Sequence, residues 1–313
     1  MRRAGRIFCS NVRRQCRDLS ARAPSAGQLL AHQFIEAKTP STQEEQPPIV
    51  FLHGLLGNKR NIKTMANTLC QATGRNGLLL DITGHGDSKP AAMPNPHNVD
   101  FRRATGDIQH TVSHAATVEL PQQENVSIPI VGHSLGGRLA LNYATSHNNN
   151  SVQSLWLLDT VPGQLDVSVL HTLQAAESIA TQTWGSRQDV AAELTTQHQL
   201  APAIASWLAT QFDLQEQTFA FSIPAAMALA NDFVHHDFWS QIDQVLSSTI
   251  TTVHLVQAGN NVAWKNVELQ SALQERVHDH NNFHHHILPN AGHWVHIDAP
   301  KGLQSLFLST SGW

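Results

Sequence analysis

The stretch I-V-G-H-S-L-G-G, Ile130 to Gly137, decides how this chain is read. An apolar run, V-S-I-P-I-V-G, feeds straight into Gly132-His133-Ser134-Leu135-Gly136, and G-R-L-A-L-N-Y-A-T-S continues with a helical pattern. The spacing is G-x-S-x-G. A serine fenced by glycines between strand and helix suits a sharp turn, where bulkier neighbours would clash and the hydroxyl is held out as a nucleophile. The helix that follows aims backbone N–H groups at the same point. A loose Gly/Ser turn is the competing reading, and the strand before and helix after weigh against it.

Working outward, the pattern alternates. I-V-F-L-H-G, starting at Ile49, is a buried strand by length and type, and M-A-N-T-L-C-Q-A-T a helix. G-L-L-L-D-I (77–82) is a second short strand, 101–119 a helix, and V-Q-S-L-W-L-L-D (152–159) another strand. This order predicts an α/β fold with a mostly parallel central sheet and helices on both faces. From Pro162 to Val245 the patterns are helical with no convincing strand. The strand rhythm restarts at I-T-T-V-H-L-V-Q-A-G (250–259), followed by a helix near 265–277, the strand-like F-H-H-H-I-L-P-N, and a helix near 299–309. The expected organisation is a core of residues 28–161 and 246–313, with a helical cap, 162–245, inserted between two strands.

A serine hydroxyl needs a base. The chain holds 20 histidines, so position must choose among them. P-N-A-G-H-W-V-H-I-D-A-P places His293 in a Gly-flanked loop after the last strand-like run, which suits the chain order Ser, acid, His. His296 is its rival, and His133 reads as a packing neighbour of the nucleophile. The carboxylate that orients the base has two candidate sources. Asp159 ends a predicted strand, where open parallel sheets gather their ligands, and is the first choice. Asp232, in A-L-A-N-D-F-V-H-H of the insert, is the second. The strand exit F-L-H-G-L-L-G-N leaves the N–H of Leu55 near the serine, and the N–H groups of Leu55 and Leu135 are the expected oxyanion donors.

Composition narrows the class. Residues 1–27 hold seven arginines and one acid, Asp18, without a secretory apolar core; this is the pattern of a mitochondrial transit peptide, with the matrix as destination. Removing seven of the 20 basic and one of the 24 acidic residues moves the formal net charge from −4 to −10, which disfavours nucleic acid as a partner. No apolar run reaches the roughly 20 residues of a membrane span. Three cysteines, two of them in the leader, exclude a disulfide framework and a cysteine zinc site. The His-rich run V-H-D-H-N-N-F-H-H-H (277–286) does not fix a tetrahedral ligand set, so neither metal nor cofactor is expected.

H-G-L-L-G, D-I-T-G-H-G-D-S, G-H-S-L-G-G, L-L-D-T-V-P-G and P-N-A-G-H-W-V-H together resemble the α/β-hydrolase superfamily over residues 50 to 300. Within it the set is similar to the abhydrolase-domain-containing-11 group and its bacterial short-chain esterase relatives. The chain departs from that group at Gly84 (Asn), Ala258 (Gly) and Asn261 (Ser). The resemblance implies a Ser-Asp-His hydrolase of esters or thioesters, mitochondrial in eukaryotes, with a lipoylated 2-oxoglutarate dehydrogenase complex as a partner. The expected function is a serine hydrolase that cleaves a small-molecule ester or acyl substrate through an acyl-enzyme, with Ser134, Asp159 and His293 as its triad. A carbon–carbon bond hydrolase or acyltransferase, and a non-catalytic partner of a mitochondrial enzyme complex, are the alternatives. Six aromatic residues of the insert (Trp184, Trp207, Phe212, Phe219, Phe221 and Phe238) either roof an apolar acyl site or form the cap's own core, the second being the commoner fate.

Overall fold

Four strands are apolar on both sides because both sides are covered. β2 (Ile49–Leu52), β3 (Gly77–Leu80), β4 (Ile128–His133) and β5 (Val152–Leu158) fill the middle of one sheet. Val50 and Leu52 pack with the helices of one face, and Ile49 and Phe51 with those of the other. That is the period-2 alternation of a strand buried on both faces. The computed structural model describes residues 27–38, 46–89, 95–118, 127–146, 151–163, 167–248 and 250–310. The arginine-rich leader, apart from Gly27, lies outside them.

The sheet has seven strands. β1 (His32–Ile35) runs antiparallel to β3 at one edge, and the others are parallel in the order β3-β2-β4-β5-β8-β9, where β8 is Thr252–Ala258 and β9 Phe283–Leu288. On one face lie α1 (Lys59–Thr73), the short α10 (Val295–Asp298) and α11 (Pro300–Ser309). On the other lie α2 (Phe101–Val118), α3 (Leu135–Ser146), α8 (Phe238–Leu246) and α9 (Val267–Asp279). Between β5 and α8 come α4 (Val167–Ala180), α5 (Arg187–Thr196), α6 (Pro202–Thr210) and α7 (Ile223–Asp232), plus a hairpin of β6 (Phe212–Asp213) and β7 (Thr218–Phe219).

Helices α4 to α7 build a core of their own around Leu173, Ile179, Leu194, Leu208, Phe212 and Phe219. In contrast, Phe238, Ile242, Val245 and Leu246 of α8 pack with the main sheet. The cap is stitched down at one seam: Gly86 N–H donates to Ala220 O (2.7 Å) and Ser222 N–H to Gly84 O (2.7 Å), so the G-H-G-D-S loop pairs with the strand-like exit of β7. No strand is expected from sequence in this insert. The hairpin is there because each arm is two residues, too short to leave a periodic trace. β1, H-Q-F-I, escapes for a related reason, being a four-residue edge strand of mixed polarity.

What places the serine is a backbone-to-backbone crossing. A Cβ on Gly136 would lie 2.5 Å from Leu52 O and 2.6 Å from His53 O, and one on Gly132 would lie 2.5 Å from Gly136 O and Gly137 N. The first turn of α3 therefore rests directly on the ends of β2 and β4. Gly136→Val should lower unfolding stability by about 2–3 kcal/mol, the scale of overpacking in a rigid site. Gly106→Ala in α2, where a Cβ meets nothing within 4 Å, should be neutral or stabilise by up to about 1 kcal/mol. Urea titration of the two variants checks the contrast.

At the other end of the sheet His254 Nδ1 lies 3.1 Å from His286 Nε2, and the His254 ring stacks on Trp156 at 4.0 Å. Burial, with the neighbouring imidazoles adding to it, pushes His254 down to about 3 and His286 to about 4. The unfolded chain takes these protons first, so the stability present above about pH 6.5 is lost as pH falls toward the folded values. The urea midpoint should drop between pH 7 and pH 4.5, and the His254→Gln/His286→Gln double variant should show a shallower drop than the wild type.

Candidate active site

Ser134 joins β4 to α3 with φ +52°, a left-handed backbone rare for a residue with a side chain. Its N–H donates to Leu158 O (2.9 Å), and its own carbonyl accepts from Gly137 N (3.0 Å) and Arg138 N (3.2 Å). The turn is held from both sides, which keeps the strained geometry in place. Leu135 opens α3, so its N–H has no acceptor within its own helix.

Asp159 leaves β5 with φ +43°, its N–H bound to Val256 O at 2.7 Å. Its carboxylate is buried and takes four N–H donors. Oδ1 accepts from Ala258 N (2.9 Å) and Trp264 Nε1 (2.6 Å); Oδ2 accepts from Asn261 Nδ2 (2.6 Å) and His293 Nδ1 (2.7 Å). Because Nδ1–H of His293 is the donor, Nε2 keeps its lone pair. The His293 loop is braced by His133, whose Nε2–H donates to the His293 carbonyl at 2.8 Å. Burial and the two adjacent imidazoles, His293 and His296, hold His133 well below the usual histidine range, consistent with a neutral brace.

The alternatives from the sequence are engaged elsewhere. Asp232 accepts from Phe101 N (2.8 Å) and His236 Nε2 (3.0 Å), and His293 is not among its partners. His296 is buried, pushed down to about 4 by burial and by His293, and its ring faces His133 at 4.9 Å.

At the end of β2, His53 Nδ1–H donates to Gly54 O (2.8 Å), and the same oxygen accepts from Gly57 N (3.1 Å). His53 Nε2 accepts from Ile82 N (3.0 Å), which fixes the tautomer. A trans peptide sets C=O and N–H in opposite directions. Pinning Gly54 O therefore turns the Leu55 N–H the other way.

His53, Leu55, Ser134, Asp159 and His293 share the lining of one cavity of about 720 Å³. Of the six aromatics named from the sequence, Trp207 lines it, packing at 5.3 Å on Trp294; Phe212, Phe219 and Phe221 lie in the cap's own core, Phe238 packs with the main sheet, and Phe233, not named from the sequence, joins Trp207 in the cavity wall. Asn261 and Trp264, which hold Asp159, were not singled out from the sequence as site residues. Their signal was positional: the loop after β8 sits beside the end of β5. Among the described residues no group of three or more His, Cys, Asp or Glu is placed to hold a metal ion, and no helix is long and apolar enough to cross a membrane. The residues of 277–286 scatter, with His284 and His286 on one face of β9 and His285 on the other.

The chain is similar to proteins of known name. It is 25% identical over 264 residues to the sn-1-specific diacylglycerol lipase ABHD11 of Mus musculus, covering 82% of this chain and 78% of that one. The match to the Danio rerio protein of the same name is 34% identical but spans only 50% of this chain and 44% of the relative. Esterase YbfF of Escherichia coli (strain K12) is 23% identical over 86% of this chain and 94% of its own. A solved marine microorganism esterase superposes with a TM-score of 0.65 at 19% identity, covering 90% of this chain and 99% of that one. The family model of the alpha/beta hydrolase fold matches residues 47–300, which include every strand of the sheet but β1, the serine turn and the His293 loop, and the chain belongs to that family.

Proposed function

We propose that this protein is a serine hydrolase of carboxylic esters, with Ser134 as nucleophile, His293 as base and Asp159 as the carboxylate that orients it. The observation that carries the reading is the 2.7 Å bond from His293 Nδ1 to a buried Asp159, in a cavity that Ser134 also lines. Ser134 Oγ attacks the ester carbonyl as His293 Nε2 takes its proton. The N–H groups of Leu55 and Leu135 receive the oxyanion. His293 then protonates the leaving alcohol, and water, deprotonated by the same nitrogen, releases the acid from the acyl-enzyme. The named lipase and esterase relatives support the ester bond as target. Thioesters follow the same path with a thiol leaving. If an alcohol replaces water in the second half, the outcome is acyl transfer; a yeast relative, 34% identical over 104 residues, is called a probable alcohol acetyltransferase.

A mitochondrial address, and association with an enzyme complex there, belong to the same proposal and rest on the sequence.

Ser134→Ala should cut p-nitrophenyl ester hydrolysis by about 10⁴ to 10⁶ and abolish labelling by a fluorophosphonate. Asp159→Asn should lower kcat by about 10³ to 10⁴, and Asp232→Asn by less than about tenfold. All three should keep the wild-type circular dichroism. A reversed order of the two aspartates would move the acid into the cap, and a folded wild type that takes no label would favour the non-catalytic alternative.

A further inference from the structure

Arg138 follows Ser134 by one helical turn, and its N–H bonds to the Ser134 carbonyl. Ser134 lies just before α3 with its left-handed φ of +52°, and both residues line the same cavity. The guanidinium is 3% exposed and lines the same cavity as the serine. Nη1 donates to Gly163 O (3.2 Å) and Nη2 to Val161 O. The group lies 3.5 Å from the ring centre of Phe233 and 3.8 Å from that of Phe238.

A guanidinium carries five N–H bonds in a fixed fork, and these contacts use two. No carboxylate among the described residues pairs with it. The two acids in the cavity wall are taken, Asp159 by its four donors and Asp298 by Gly292 N. Two other arginines show the contrast. Arg276 also lies over an aromatic ring, but it is paired with Asp243. Arg75 is as buried as Arg138 and also pairs with no carboxylate among the described residues, yet it commits three N–H groups to Pro47 O and Gln153 Oε1 and is not in the wall of this cavity. A buried cation that meets no counter-ion among the described residues is costly. Burial holds the Arg138 pKa well below its usual value, and an anion entering the cavity reverses that cost.

We propose that Arg138 reads a carboxylate on the substrate, so that the ester cleaved at Ser134 is one whose acyl or leaving half ends in a free carboxylate. Four positions separate the two residues in the chain and both line one cavity, which suits a substrate with a few carbons between carbonyl and carboxylate. The proposal rests on the serine hydrolase reading for its chemistry and on Arg138 for its specificity.

Two matched pairs test it, followed by acid release: monoethyl glutarate against ethyl pentanoate for the acyl half, and 3-acetoxypropanoate against propyl acetate for the leaving half. In one pair the charged member should have the higher kcat/KM by at least about tenfold, the scale of one charge-assisted hydrogen bond. Arg138→Gln should reduce that ratio at least tenfold, and Arg138→Lys should restore part of it, a point charge replacing a fork. Binding to Ser134→Ala, measured by calorimetry, separates this from the hydrolase reading. A charged ester should bind Ser134→Ala more tightly than its neutral partner, and the Ser134→Ala/Arg138→Gln protein should lose the difference. If the wild type cleaves no ester at all, the hydrolase reading fails while the binding comparison still decides Arg138. If Arg138→Gln does not fold, the wild-type ratios decide. Equal rates and equal binding within both pairs would overturn the proposal and leave Arg138 as a clasp between core and cap.

Discussion

The site depends on one close approach. The first turn of α3 lies against the carbonyls of Leu52 and His53 with no room for a side chain at Gly136. Because β2 and β4 are neighbours in register, Leu52 beside Gly132, that contact fixes the serine turn and the Gly54–Gly57 loop relative to each other. The loop's own geometry is set one residue later, where His53 and Gly57 both bond to Gly54 O. Ser134 and the Leu55 N–H are thus positioned by backbone packing, which does not relax by changing a rotamer. Stabilising an oxyanion requires this kind of fixity, since donors that must reorganise during reaction lose much of their effect.

Asp159 couples the remaining loops. Its four donors come from the end of β8, the turn after it and the loop after β9. Removing the carboxylate would take the acceptor from all four of these bonds. The carboxylate thus contributes to the structure of two loops as well as to the orientation of His293. Asn261, at the position where the resembled group has Ser, gives Oδ2 a second donor beside the imidazole. The cap takes no part in this network. It has its own core and meets the main domain through the G-H-G-D-S seam, the cavity wall and α7, whose Ala225 and Leu229 pack with the main core and whose Asp232 accepts from Phe101 N.

Much of this was legible in the sequence because the relevant physics is local. A buried strand running into G-x-S-x-G leaves few backbone solutions, and central strands covered on both faces write themselves as apolar runs. Asp159 was legible from its place at a strand end, and Asp232, the second choice, bonds to Phe101 N and His236 instead. What was not legible is relational. Nothing in W-K-N or A-G-N-N says that Trp264 and Asn261 face a carboxylate about a hundred residues earlier. The insert's aromatics look alike in one dimension, yet three of them fill the cap core and Trp207 turns to the cavity. Arg138, one turn past the serine, reads as an ordinary helix residue until the carbonyls, rings and cavity around it are seen.

Histidine shows how structure resolves what composition hides. With 20 in the chain, residue type says nothing about which one serves as base. Burial divides them. His53, His85, His133, His254, His286 and His296 are packed away or stacked, and desolvation is the first cause holding each below the usual imidazole range. Kept neutral, they serve as fixed donors and acceptors: His53 pins the Gly54–Gly57 loop and His133 pins the His293 loop. The base proposed above has different surroundings. The His293 side chain is 45% exposed and bonded to a carboxylate through the nitrogen that does not face the reaction. The neutral histidines are therefore fixed struts: two of them hold the Gly54 turn and the His293 loop on either side of Ser134.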